Sequence, residues 1–301
     1  MNTAEMTAKI ADGQGFIAAL DQSGGSTPKA LKGYGVEDGA WETDEQMFGL
    51  IHDMRARIIT SDAFTGDKVI GAILFERTMD GQAGGKPVPQ ALADKGVVPF
   101  LKIDKGLEDE ANGVQLMKPM PELDTLLARA ATLGIFGTKE RSVVNLANEA
   151  GIAAVVKQQF EVAHQVIAHG LMPIIEPEVN IKSAERAAAD AILLAELVKA
   201  LDALDGDDKV MLKLSLPEQA GLFQPLVDHP RVLRVVALSG GFARTEACAE
   251  LAKNPGIIAS FSRALLSDLR APMTDAEFDA ALGEAIDEIH CASTEKTLVA
   301  A

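Results

Sequence analysis

Short apolar runs recur along the chain, and between them apolar residues return every three or four positions. Compact runs rich in β-branched residues suit buried strands, whereas the three-to-four spacing suits helices that bury one face. Eight strands are expected on this basis, at 16–20, 69–75, 97–103, 133–136, 171–175, 210–214, 232–238 and 257–261. The helices between them carry their own start and stop signals. Thr43 and Gln46 form a cap before Met47, Leu50, Ile51, Met54 and Ile58, and Thr274 with Glu277 does the same before Phe278, Leu282, Ala285, Ile286 and Ile289. A third helix, through Ile152, Val155, Val156, Phe160, Ala163, Val166 and Ile167, stops at Gly170, directly before a strand. A fourth is expected over 187–204.

Strand and helix alternate from end to end with no linker or charge block between them. That order predicts an α/β fold built as one (β/α)8 barrel over residues 1–301, with 267–301 a C-terminal helical extension. A doubly wound open sheet is the alternative. The stretch 24–41, with five glycines, reads as a loop after the first strand that could cover a substrate.

Composition narrows the function. The formal net charge of -16 argues against nucleic acid or an anionic membrane as partner, and aromatic residues, 4% of the chain, are too few for a base-stacking platform. No segment is apolar for long enough to span a bilayer, and the first fifteen residues lack a basic head followed by an apolar block. Two cysteines, Cys248 and Cys291, form no metal or disulfide spacing, and a reducing cytoplasm is the expected compartment. Five histidines show no ligating pair, so no metal and no other cofactor is expected. The run GLEDEAN, 106–112, reads as a solvated acidic loop, with Asp104 and Lys105 pairing with each other.

The segment KVMLKLSLP places Lys213 within an apolar run. A buried lysine is paired, reaches the rim with its ammonium, or gives up its proton and becomes an amine nucleophile. The strand ends favour the third course. Asp21, Lys102, Lys139, Glu176, Lys213, Ser239 and Arg263 each follow or close an apolar run, and a barrel gathers such residues at one mouth. Crowded lysines lower one another's proton affinity, and a cationic pocket in an acidic protein suits a phosphorylated or carboxylated small molecule. Loops after the seventh and eighth strands, LSGG and SFSRALL, are placed to cradle a phosphate.

The segments AALDQSGGS, GAILFERT, VVPFLKIDKG, IFGTKERS, MPIIEPEV, MLKLSLP, LSGG and SFSRALL, in this order, resemble the class I fructose-bisphosphate aldolases of the shorter bacterial kind. The resemblance implies a metal-independent lyase of glycolysis or gluconeogenesis that splits fructose 1,6-bisphosphate through a lysine Schiff base. Lys213 would form the imine, Glu176 would shuttle the proton as the carbinolamine loses water, Asp21 would take the C4 hydroxyl proton, and Lys139 would hold the carboxylates ionised. Ser239, Gly240 and Arg263, with Ser260 and Ser262 nearby, would grip the C1 phosphate, while Ser23, Ser26, Lys102 and Arg141 would lie toward the C6 phosphate.

Two departures stand out. Ser262 occupies a position where glycine is frequent in the family. The chain also ends TEKTLVAA and has one tyrosine, Tyr34, whereas animal members carry a tail tyrosine that exchanges the enamine proton. Glu178, a water or the substrate phosphate are the alternatives for that task. Another Schiff-base aldolase or a transaldolase, and a non-catalytic sugar-phosphate-binding barrel, are the rival readings, and assembly into a homo-oligomer stays open.

Overall fold

In the computed structural model, which describes residues 1–37 and 39–297, eight strands run side by side in chain order. They are β1 Phe16–Leu20, β2 Val69–Leu74, β3 Val98–Lys102, β4 Gly137–Val144, β5 Met172–Val179, β6 Val210–Ser215, β7 Val232–Leu238 and β8 Ile258–Ala259. Each pairs in parallel with the next. The amide of Ala19 donates to the carbonyl of Phe261 at 3.0 Å, which brings the end of the sheet back to its beginning. The result is a nearly closed (β/α)8 barrel with helices between the strands, so the open doubly wound sheet is set aside.

Successive side chains of a strand point to opposite faces, and in every strand but β4 both faces are largely apolar. Ile17 and Ala19 of β1, Ile73 of β2, Phe100 of β3, Ile174 of β5, Met211 of β6 and Val236 of β7 fill the barrel interior. Their sequence neighbours Ala18, Leu20, Leu101, Ile175 and Leu212 pack outward against helical residues such as Met47, Ile51, Val155 and Leu193. A further helix, Thr3–Asp12, begins with a capping box formed by Asn2 and Glu5 and adds Met6 and Ile10 to the interior cluster. It packs against β2, β3 and β7. The caps expected at Thr43 and Thr274 are both formed, on helices Asp44–Thr60 and Asp275–Thr294. Residues 298–301 of the expected C-terminal extension lie outside the described residues.

Two expectations are corrected. The fourth strand is not 133–136 but Gly137–Val144; Leu133 caps the preceding helix, Leu123–Thr132, and is exposed. The strand escaped notice because it is polar on both faces, with Lys139 and Arg141 alternating with Thr138, Glu140 and Ser142. Glu140 is fully buried, and burial pushes its carboxyl well above the usual range. The second correction concerns 24–41, which contains a helix, Ser26–Gly33, rather than a loop throughout.

One glycine is required by a close approach. A Cβ on Gly137 would lie 2.2 Å from the carbonyl oxygen of Met172 and 2.9 Å from the Phe100 ring, so β4 and β5 can pair here only without a side chain. Gly137→Ala is expected to lower stability by about 1–3 kcal/mol through overpacking, read as a reduced urea midpoint. An unchanged midpoint would show that this contact is not under compression.

Candidate active site

The alternation that fills the barrel with apolar side chains also assembles the site. Two residues beyond Ala19, Phe100, Gly137, Ile174, Met211 and Ile258, the same inward face carries Asp21, Lys102, Lys139, Glu176, Lys213 and Ser260. The interior is therefore apolar below and charged at the C-terminal ends of the strands, where the βα loops meet. These six side chains line one cavity of about 920 Å³, together with Ser23, Ser26, Arg141, Ser239, Gly240, Ser262 and Arg263. Every residue singled out in the sequence as catalytic or substrate-binding is thus brought to the same mouth.

At its floor lie two ammonium groups and two carboxylates, all nearly inaccessible to solvent. Lys213 Nζ is 3.2 Å from Glu176 Oε1, Lys139 Nζ contacts Glu176 Oε2, and Lys139 Nζ donates to Asp21 Oδ2 at 3.1 Å. Glu176 thus bridges the two lysines, and Lys139 bridges the two carboxylates. Burial alone would raise the Asp21 carboxyl, but Lys139, Lys213 and Lys102 outweigh it and hold the group far below its ordinary range. Burial lowers Lys139 to about 8 against the opposing pull of Asp21, with Lys213 adding to the fall. It lowers Lys213 too, opposed by Asp21 and Glu178. An amine with reduced proton affinity beside a carboxylate that can take its proton is equipped for addition to a carbonyl.

Around the rim the cations differ in their partners. Lys102 donates to Asp104 Oδ1 at 2.8 Å, and Arg141 is paired with Glu178. Asp104 and Lys105 do not pair with each other as the sequence suggested, because Lys105 reaches Glu76 at 2.7 Å. Among the described residues no carboxylate pairs with Lys29 or Arg263, and both are exposed at the mouth. Ser260 Oγ is buried without a hydrogen-bond partner, whereas Ser26 Oγ closes a local turn by donating to the Ser23 carbonyl at 2.8 Å. Gly240 has φ +59, a conformation that turns the backbone after β7 sharply across the mouth. Such a set of free cations, hydroxyls and turned backbone suits anionic oxygens.

The model of one protein family, fructose-bisphosphate aldolase class-I, matches residues 2–216, which include β1 to β6 and all four groups at the floor. The chain belongs to the class I fructose-bisphosphate aldolase family. A fructose-bisphosphate aldolase from Plasmodium falciparum, solved in complex with TRAP and a small-molecule inhibitor, has a similar fold, with a TM-score of 0.79 and 20% identity over 99% of this chain and 95% of that one. A protein of Corynebacterium glutamicum is more distant, at a TM-score of 0.54 and 14% identity over 96% and 92% of the two chains. The matched segment stops before Ser239, Gly240, Ser260 and Arg263, in the loops after β7 and β8.

Several residues at the mouth were not found in the sequence. Gln22 and Lys29 line it, as do Phe75 and Asp104. Lys29 could have been found by reading Ser26–Gly33 as a helix, since it then lies one turn from its start, above the strand end that carries Asp21. None of the histidines or cysteines lines the mouth; Cys248 is buried in a helix, its thiol pushed up by burial to about 12. Among the described residues no cluster of His, Cys, Asp and Glu could hold a metal ion, and no helix is long and apolar enough to cross a membrane.

The depressed Lys139 has a consequence for stability. Between about pH 8 and the ordinary lysine value of 10.5 the unfolded chain holds a proton there that the folded protein has lost, so unfolding free energy rises with pH over that window. Urea midpoints measured at pH 8 and pH 10 are expected to show a smaller rise in Lys139→Met than in the wild type. An equal rise in both would mean that Lys139 titrates normally.

Proposed function

We propose that this protein reversibly cleaves fructose 1,6-bisphosphate into dihydroxyacetone phosphate and glyceraldehyde 3-phosphate through a Schiff base on Lys213. The observation that carries this reading is the position of the Lys213 amine at the floor of a cation-rimmed cavity, 3.2 Å from Glu176. Glu176 takes a proton from the lysine, whose amine adds to the C2 carbonyl. The carbinolamine then loses its hydroxyl as water with a proton returned from Glu176, leaving an iminium.

Asp21, kept ionised by its lysine neighbours, accepts the C4 hydroxyl proton. The C3–C4 bond breaks, the aldehyde departs, and the electron pair moves into the iminium to give an enamine. Protonation at C3 and hydrolysis of the resulting iminium release the second product and restore the amine. Lys139 stays charged between Asp21 and Glu176, which keeps both carboxylates ionised.

Arg263, Ser239, Ser260 and the Gly240 backbone hold the C1 phosphate. Ser23, Lys102 and Arg141 face the C6 phosphate, and Lys29, which has no carboxylate partner among the described residues, joins them. Ser26 contributes through its turn with Ser23 and the start of its helix. Dissolved sugar phosphates are the partners this site calls for, and a cytoplasmic setting in glycolysis or gluconeogenesis fits them.

Borohydride reduction in the presence of dihydroxyacetone phosphate and a chelator is expected to leave a stable adduct on Lys213, located by peptide mapping. Pyruvate is expected to give none, which separates this chemistry from keto-acid aldolases. Lys213→Met should reduce cleavage to background, and Glu176→Gln should lower kcat by about a hundred- to ten-thousandfold. A folded, ligand-binding wild type that yields no adduct would end the Schiff-base reading, and an effect of Glu176→Gln confined to KM would remove its proton-transfer role.

A further inference from the structure

One buried ion near the mouth has no place in the steps above. Arg55, on helix Asp44–Thr60, is fully buried, yet no carboxylate lies within ion-pair distance of it among the described residues. Burial pulls its guanidinium down to about 10, with only the charge of Asp21 opposing. An unpaired buried cation carries a desolvation cost that an apolar side chain of the same volume would avoid. What offsets it here is a set of hydrogen bonds to the loops at the mouth.

Nη1 donates to Thr78 Oγ1 at 2.8 Å, beyond the end of β2. Nη2 donates to the backbone carbonyl of Gln22 and approaches its side-chain oxygen at 3.4 Å, directly after Asp21 at the end of β1. With its oxygen turned to Arg55, the Gln22 amide presents its nitrogen to Ser262 and donates to Ser262 Oγ. Ser262 immediately precedes Arg263 in the loop after β8. The guanidinium thus connects the loops after β1 and β2 directly, and the loop after β8 through one glutamine.

We propose that Arg55 is a positioning residue that acts through Gln22 to fix Ser262 and the adjoining Arg263 for phosphate binding. The fork of the guanidinium fixes the orientation of the Gln22 amide, which decides whether Ser262 meets a donor or an acceptor. Ser262, in this arrangement, serves as an anchor for the loop, and Arg263 is left to face the anion. The role of that loop in phosphate binding rests on the function proposed above, but the hydrogen-bonded chain and its effect on anion affinity can be measured without turnover.

Calorimetric dissociation constants for inorganic phosphate and for dihydroxyacetone phosphate test it in the wild type, Arg55→Lys, Gln22→Ala, Ser262→Ala and the Arg55→Lys/Gln22→Ala double variant. Gln22 and Ser262 are only partly buried, so their variants remain informative even where Arg55→Lys destabilises the fold. Each single change is expected to weaken both ligands roughly five- to tenfold, and the double variant no more than its weaker parent, as for groups acting in series. Borohydride trapping at saturating dihydroxyacetone phosphate should fall less than affinity does. Unchanged phosphate affinity in folded variants, or losses that multiply in the double variant, would overturn the proposal. Shifted phosphate affinities together with a wild type that forms no adduct would support the positioning role while removing the aldolase chemistry.

Discussion

Two ammonium groups and two carboxylates share the floor of the barrel mouth, and each is tolerable there only because the others are present. Lys139 touches both Asp21 and Glu176, and Glu176 touches both lysines, so removing one member leaves an uncompensated charge among groups nearly inaccessible to solvent. A stranded buried charge of this kind costs about 3–5 kcal/mol. The rest of the fold serves this constraint: four different strands must bring these residues to the same height, with their side chains on the same face, for the cluster to neutralise itself. Parallel pairing in chain order and the return of the last strand to the first do that.

The cluster also separates two properties that a lone lysine cannot combine. Burial disfavours the charged form of Lys213, and a carboxylate lies beside it, as the proposed proton transfer requires. Asp21, under the same burial, moves the opposite way because three lysines act on it. Geometry thus decides which group yields a proton and which stays ionised, although desolvation acts on all of them.

Where pattern and fold agreed, the cause was periodicity. β1, β6 and β7 are apolar runs bounded by helix-breaking or polar residues, and they stand where the pattern put them. β4 was displaced because its residues, GTKERSVV, obey a requirement of the site rather than of the core. Polar side chains inside a barrel break the hydrophobic signal in the very strand that carries Lys139. The helix Ser26–Gly33 was hidden for a related reason: its glycines and proline read as loop, yet Leu31 is buried against the core and holds it.

The sequence by itself determined the alternation of strand and helix and the place of every strand but the fourth; apolar runs and three-to-four patterns are local properties that need no partner to be read. It also singled out Lys213, Glu176, Asp21 and Lys139, since charge at the end of an apolar run is visible in one dimension. Only the tertiary structure decided which charges meet. That Lys102 takes Asp104 while Lys105 reaches back to Glu76, and that Lys29 and Arg263 have no carboxylate partner among the described residues, is decided only once the loops are folded around the mouth. The link from Arg55 through Gln22 to Ser262 joins a helix to two loops whose residues lie 240 positions apart, and no local pattern encodes it. Ion pairs and hydrogen bonds act over a few ångströms, so their partners are known only when the chain is folded.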